Sequence, residues 1–181
     1  MKNEKQINIE ELAHILVDLK FENNNLINEY NELSKELKGN EEFPNKYFLE
    51  YLIFDLFTDN ACFLLAFDQK TSLSLFKIYL PNIIVKLIQR GYRFDWQEFE
   101  DLFKKRAQEY QQQLREYDPE YLKKIDINSY LPGLGKSFSI NLVGYKSPPL
   151  ILKAHVKFVM KLKHFYGKFL KDIMKKYEIV P

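Results

Sequence analysis

Apolar residues recur near the start of the chain at three- and four-residue steps: Leu12, Leu16, Leu19, Leu26, Tyr30, Leu33 and Leu37. That spacing predicts an amphipathic helix from Asn8 to about Leu37 with a narrow apolar seam. The run Asn23-Asn24-Asn25 marks a break within it, because Asn is a poor helix-interior residue. Lys38-Gly39-Asn40 ends the pattern with a glycine C-cap signal. Pro44 opens a second helix, residues 45–66, that is apolar nearly all round and so belongs in the middle of a bundle. Asp68 to Ser72 reads as a turn. A third helical run reaches Arg90, with Pro81 expected to kink or divide it and Gly91 to stop it.

Asp95-Trp96-Gln97-Glu98 has capping-box form and starts a fourth helix to about Glu116. Phe99, Phe103, Ala107, Tyr110 and Leu114 share its apolar face with Trp96. Between residues 117 and 147 the pattern fails, and four of the seven prolines and three of the six glycines lie within 118–149. A helical turn fits Pro119 to Lys124. Ser137-Phe138-Ser139-Ile140-Asn141-Leu142 alternates polar and apolar, which predicts a short extended segment. Long irregular connections are frequent binding loops, and this one is the best placed. Ser147-Pro148-Pro149 then caps and opens a last helix, 148–177. The expectation is an all-α, single-domain bundle over 1–181, with four to five long helices and a long irregular loop before the C-terminal one.

Composition supports a folded core: of 181 residues, 46% are hydrophobic and 15% aromatic. Disorder, collagen-like repeats and a disulfide scaffold are excluded. The one cysteine, Cys62, sits in an apolar run and reads as a buried, inert thiol. The N-terminal residues show no secretory signal pattern, and Glu50, Asp55, Asp59 and Asn60 argue against a membrane span over Tyr47–Phe67. The expected compartment is cytoplasmic.

Charge changes the picture more. Residues 1–60 hold 6 Lys/Arg against 13 Asp/Glu, while the remainder holds 21 against 12. At 100° per residue the last helix places Lys153, Lys157, Lys161, His164, Lys168, Lys171 and Lys175 on one stripe, opposite Ile151, Phe158, Leu162, Phe165, Phe169 and Ile173. Such a stripe suits a phosphate backbone or an acidic protein surface, and it also suits a merely solvated face. The absence of Arg from this helix argues against base reading. Gly133, Gly135 and Lys136 resemble the end of a phosphate-binding loop. The motif requires Gly where Tyr130 stands, so at most a single phosphate or carboxylate on exposed amides is expected there.

Other chemistry is sparse. Asp55 and Asp59, four apart on the apolar second helix, share a side and need partners if buried. His155 falls on the apolar side of the last helix. It reads as a core histidine, or with Asp55 and Asp59 as a metal or acid/base pocket. Glu11-Leu12-Ala13-His14 matches half of a di-iron motif but lies on the polar face, where an ion pair is expected. No nucleophile elbow and no zinc-type Cys pair occur.

In size, helical content and basic character the chain resembles the small helical subunits of bacterial nucleoprotein complexes, CRISPR effectors included. The stretch His164-Phe165-Tyr166-Gly167 late in a basic helix adds to that likeness. The resemblance spans one helix and transfers no residue roles. The leading expectation is a non-enzymatic interaction protein that docks its basic C-terminal helix, with Lys136, on an anionic macromolecule. That partner is nucleic acid backbone or an acidic protein surface, and neither a metal nor another cofactor is called for. The alternative is a ligand-binding or enzymatic bundle with an aromatic-lined pocket using Asp55, Asp59 and His155. Self-association of the acidic and basic halves is the third reading.

Overall fold

The computed structural model describes residues 5–22, 25–37, 45–93, 95–115, 117–125, 129 and 131–180. A short strand β1 (Lys5–Asn8) leads into α1 (Ile9–Phe21), followed by α2 (Asn25–Glu36), α3 (Asn45–Ala66), α4 (Gln69–Gln89) and α5 (Trp96–Leu114). Then come α6 (Pro119–Lys124), α7 (Pro132–Val143) and a long final rod. The rod runs through α8 (Pro148–Met160), a π-helical segment (Lys161–Leu170) and α9 (Lys171–Lys176), and ends in β2 (Tyr177–Val180). The chain is predominantly helical, as expected. The four to five long helices expected become eight among the described residues, counting the rod as one.

The helix boundaries meet the sequence reading in part, and each departure has a physical cause. Asn8 caps α1 by accepting from the Glu11 amide at 2.7 Å while the Glu11 side chain accepts from the Asn8 amide. α1 ends at Phe21 and α2 begins at Asn25, on either side of the break expected at Asn23-Asn24-Asn25, of which Asn23 and Asn24 lie outside the described residues. Residues 137–142 are helical, not extended: Leu134, Phe138 and Leu142 are buried at four-residue steps, and a two-residue alternation fits inside that spacing. Gly144, at φ +85°, closes α7 with the left-handed residue that helix ends favour.

Pro81 neither divides nor ends α4. Tyr79, Ile83, Ile84 and Leu87 are buried on both sides of it, and the Asn82 side chain donates to the Ile78 carbonyl at 2.8 Å. The turn expected at 68–72 is shorter, α4 starting already at Gln69, with Asp68 as its N-cap accepting from the Thr71 amide. Asp95 caps α5 through the Glu98 amide, and Gly91 (φ +90°) follows the end of α4, both as read from sequence. The glycine signal at 38–40, Pro44 and Tyr130 lie outside the described residues.

α3 is the central element: Leu52, Ile53, Phe54, Leu56 and Phe63 are fully buried. It is fastened to α5 by a buried ion pair, the Arg106 guanidinium gripping both oxygens of Glu50 at 2.7–3.0 Å. Glu109 accepts from the same guanidinium and from Asn141 of α7, joining three helices. Gly135 of α7 allows the rod to approach, since a Cβ there would stand 2.6 Å from the Ile151 carbonyl oxygen. α4 is the one helix among the described residues long and apolar enough to cross a membrane. It packs on α1 and α3, and leaves Leu73, Val85 and Ile88 exposed. β1 and β2 pair in parallel, Lys5 beside Tyr177 and Asn8 beside Val180, and so clasp the start of α1 to the end of the rod.

Candidate functional site

On α3, Tyr51, Asp55 and Asp59 follow at four-residue steps and therefore line one side. α1 presents Lys20 to that side, α4 presents Tyr79, and the rod presents Lys157 and Lys161. Lys20 bridges the Oδ2 atoms of both aspartates. Lys161 bridges their Oδ1 atoms, at 3.3 Å from Asp55 and 2.6 Å from Asp59. Lys157 lies 2.7 Å from Asp55 Oδ1 and 3.0 Å from the Tyr51 hydroxyl, and Tyr79 donates to Asp59 at 2.8 Å.

This cluster is buried: the aspartate side chains are 1–2% exposed and that of Lys20 is 6%. Ions taken out of water must be stabilised by one another, and these are arranged to do so. Burial pushes the Asp55 carboxyl up, but Lys157, Lys161 and Lys20 outweigh it and hold the group well below the usual carboxylate range. Burial likewise works against charge on Lys20 and Lys161, and Asp55 and Asp59 hold both above the ordinary lysine value. Burial, with the nearby carboxylates, raises the Tyr51 and Tyr79 phenols far enough that both remain neutral donors.

Three ammoniums face two carboxylates, so the cluster carries one positive charge in surplus. The balancing anion is Glu29 of α2, which accepts from Lys157 and, at 2.7 Å, from the Tyr51 hydroxyl. Its side chain is 54% exposed. The cluster forms the base of a cleft of about 790 Å³ between α1–α2 and the rod. Leu16, Leu26, Leu33, Phe54, Phe138 and Phe165 supply apolar wall, and Glu32, Lys153 and His164 stand at its lining too.

The structure thus redistributes the expected site residues. Lys157 and Lys161 leave the exposed stripe for the ion cluster, and Lys153 is half-buried beside the cleft. His164, Lys168, Lys171 and Lys175 remain exposed, as does Lys136 on α7. The stripe divides because its first half turns inward, and because the π-helical segment replaces the i→i+4 winding with i→i+5 and shifts the phase of the residues beyond it. Residues 133–136 form the first turn of α7, with Gly135 buried against Ile151 and Lys136 exposed.

Asp55 and Asp59 are brought together, but His155 does not join them. His155 is buried on the other side of α8, its Nδ1 without a hydrogen-bond partner among the described residues, and it does not line the cleft. Among the described residues no three His, Cys, Asp or Glu side chains gather to hold a metal ion. His14 is a surface residue 4.0 Å from Glu10, as its polar-face position implies.

Four participants escaped the sequence reading: Lys20, Glu29, Tyr51 and Tyr79. Two left a signal. Lys20 continues the Leu12, Leu16 step, so a lysine stands on an apolar stripe, and Tyr51 precedes Asp55 by one turn. Comparison of the chain with protein-family models, curated proteins and solved structures returns no match.

Proposed function

We propose that this protein binds a small amphiphilic molecule, apolar in its body and anionic at one end, in the cleft between α1–α2 and the rod. One observation carries the reading: a buried ion cluster whose third ammonium is balanced by the half-exposed Glu29 forms the base of an apolar-walled cleft of ligand size. Well-packed apolar residues would serve stability as well or better at such a position. A binding role gives the three lysines a purpose that packing alone does not.

The same electrostatics favour binding over catalysis. General acid or base work needs a group that titrates near the operating pH. Here Asp55 is held ionised, Lys20 and Lys161 are held protonated, and the tyrosines are held neutral. Each is a fixed donor or acceptor. A thermal-shift series tests the reading with amphiphiles of one chain length and anionic, neutral or cationic heads. Anionic heads are expected to stabilise most. Leu152→Glu and Met160→Glu, both exposed cleft-lining positions, are expected to abolish that stabilisation without unfolding the chain. Equal effects from all three heads would refute the reading.

A second reading survives in reduced form: electrostatic docking of the far end of the rod on an anionic macromolecule, with nucleic acid backbone leading. Lys163, Lys168, Lys171, Lys175 and Lys176 are exposed there, with Asp172, 3.6 Å from Lys175, as an acidic neighbour. Phosphate contacts of this kind would position the rod without reading sequence.

A further inference from the structure

Glu29 differs from the other members of the ion cluster. It comes from α2, it is more than half exposed, and its carboxylate crosses the cleft to reach Lys157 and the Tyr51 hydroxyl through one oxygen, Oε2. Asp55 and Asp59, by contrast, are shut in by Lys20, Lys161 and Tyr79 from three other elements. Removing Glu29 exposes the one cationic position that the buried carboxylates leave unbalanced.

We infer that Glu29 occupies the seat of the ligand's own head group, and that the ligand is an apolar-chain monocarboxylate whose carboxylate displaces Glu29 from Lys157 and Tyr51. The inference rests on the amphiphile-binding reading above and adds to it both the head-group chemistry and a built-in competitor. The exchange is like for like: one carboxylate leaves two donors and another takes them, so charge balance at the base is conserved. Glu29 then returns to water, a small change for a side chain already so exposed. The net drive comes from the chain, which covers Leu19, Leu152, Met160 and Phe165, the cleft-lining apolar side chains that keep surface in contact with water, as it enters. Burial of each methylene is expected to raise affinity about three- to fourfold. A single surplus charge matches a carboxylate better than a dianionic phosphate.

The test is calorimetric titration of the full chain with octanoate, decanoate and dodecanoate, alongside dodecanol and dodecyl phosphate. Wild type, Glu29→Gln and Tyr51→Phe are compared. Glu29→Gln removes the competing anion and is expected to bind dodecanoate about tenfold more tightly. Its ligand-free melting temperature should fall, and dodecanoate should restore it. Tyr51→Phe keeps Glu29 but removes a donor from the seat, and should weaken dodecanoate several-fold. Dodecanoate binding that is unchanged or weakened in Glu29→Gln would overturn the role of Glu29 while leaving the cleft reading intact. Dodecyl phosphate or dodecanol binding as tightly as dodecanoate would overturn the carboxylate assignment alone. No binding of any anionic chain by wild type or Glu29→Gln would remove both this inference and the reading beneath it.

Discussion

Lys157 Nζ lies 2.7 Å from Asp55 Oδ1, joining residues 102 positions apart on the rod and on α3. The pair converts a lysine from a solvent-facing stripe into a structural ion, and Asp55 into the shared partner of three ammoniums. Breaking such a set from the acidic side leaves buried positive charge uncompensated. Asp55→Asn is expected to destabilise the fold by about 3–5 kcal/mol, measured by urea unfolding. Lys168→Gln, on the exposed part of the rod, should change it by less than about 0.5 kcal/mol.

The ion cluster also sets a pH window. Asp55 is depressed in the fold, so its contribution is complete above the unfolded-state value of about 4 and is lost as pH falls through the lower folded value. Lys20, Lys161, Tyr51 and Tyr79 are raised, so their contributions are complete below about pH 10 and are lost as pH rises further. Melting temperature against pH should show a plateau from about 4 to about 10 as far as these groups govern it. Lys161→Met is expected to move the alkaline shoulder, and an unmoved shoulder would separate that lysine from alkaline stability.

Nucleic-acid binding, if it resides on the rod, must be probed at its far end. Lys168→Glu, Lys171→Glu and Lys175→Glu together should abolish salt-dependent anisotropy changes with labelled DNA or RNA while circular dichroism is unchanged. Lys157→Glu and Lys161→Glu are expected to unfold the chain instead, because each sets a carboxylate against buried aspartates. Retained binding in the far-end triple variant would eliminate the second reading.

Two glycines two residues apart on α7 should respond oppositely. Gly135→Ala drives a Cβ to 2.6 Å from a backbone oxygen of α8 and to 2.9 Å from Ile151 Cγ2, an overpacking cost of about 1–3 kcal/mol. At Gly133 the nearest atoms belong to the flexible end and stem of Gln113, and Ala should be neutral or stabilising by up to about 1 kcal/mol. Chemical denaturation of the two variants decides it.

Much of the helical framework is legible in the sequence, and the cleft chemistry mostly is not. α3 is betrayed by being apolar on every side, and α5 by its Asp95 cap and aromatic face. Periodicity reports which positions avoid water, but a lysine that avoids water by pairing looks the same as one that seeks it. Lys157 and Lys161 could therefore be placed on a stripe but not turned inward, since their partners lie about a hundred residues away. β1 and β2 are four residues each and separated by nearly the whole chain, too short for alternation to register.

That clasp has a mechanical consequence. The two strands run in the same direction, so tension that draws Lys5 backward and Val180 forward slides one strand past the other along their common axis. Their hydrogen bonds lie across that axis and resist together, whereas a hairpin pulled at its open end yields one bond at a time. A force applied at the outer ends of the two strands therefore meets shear resistance first, before the helices that frame the cleft can be drawn apart.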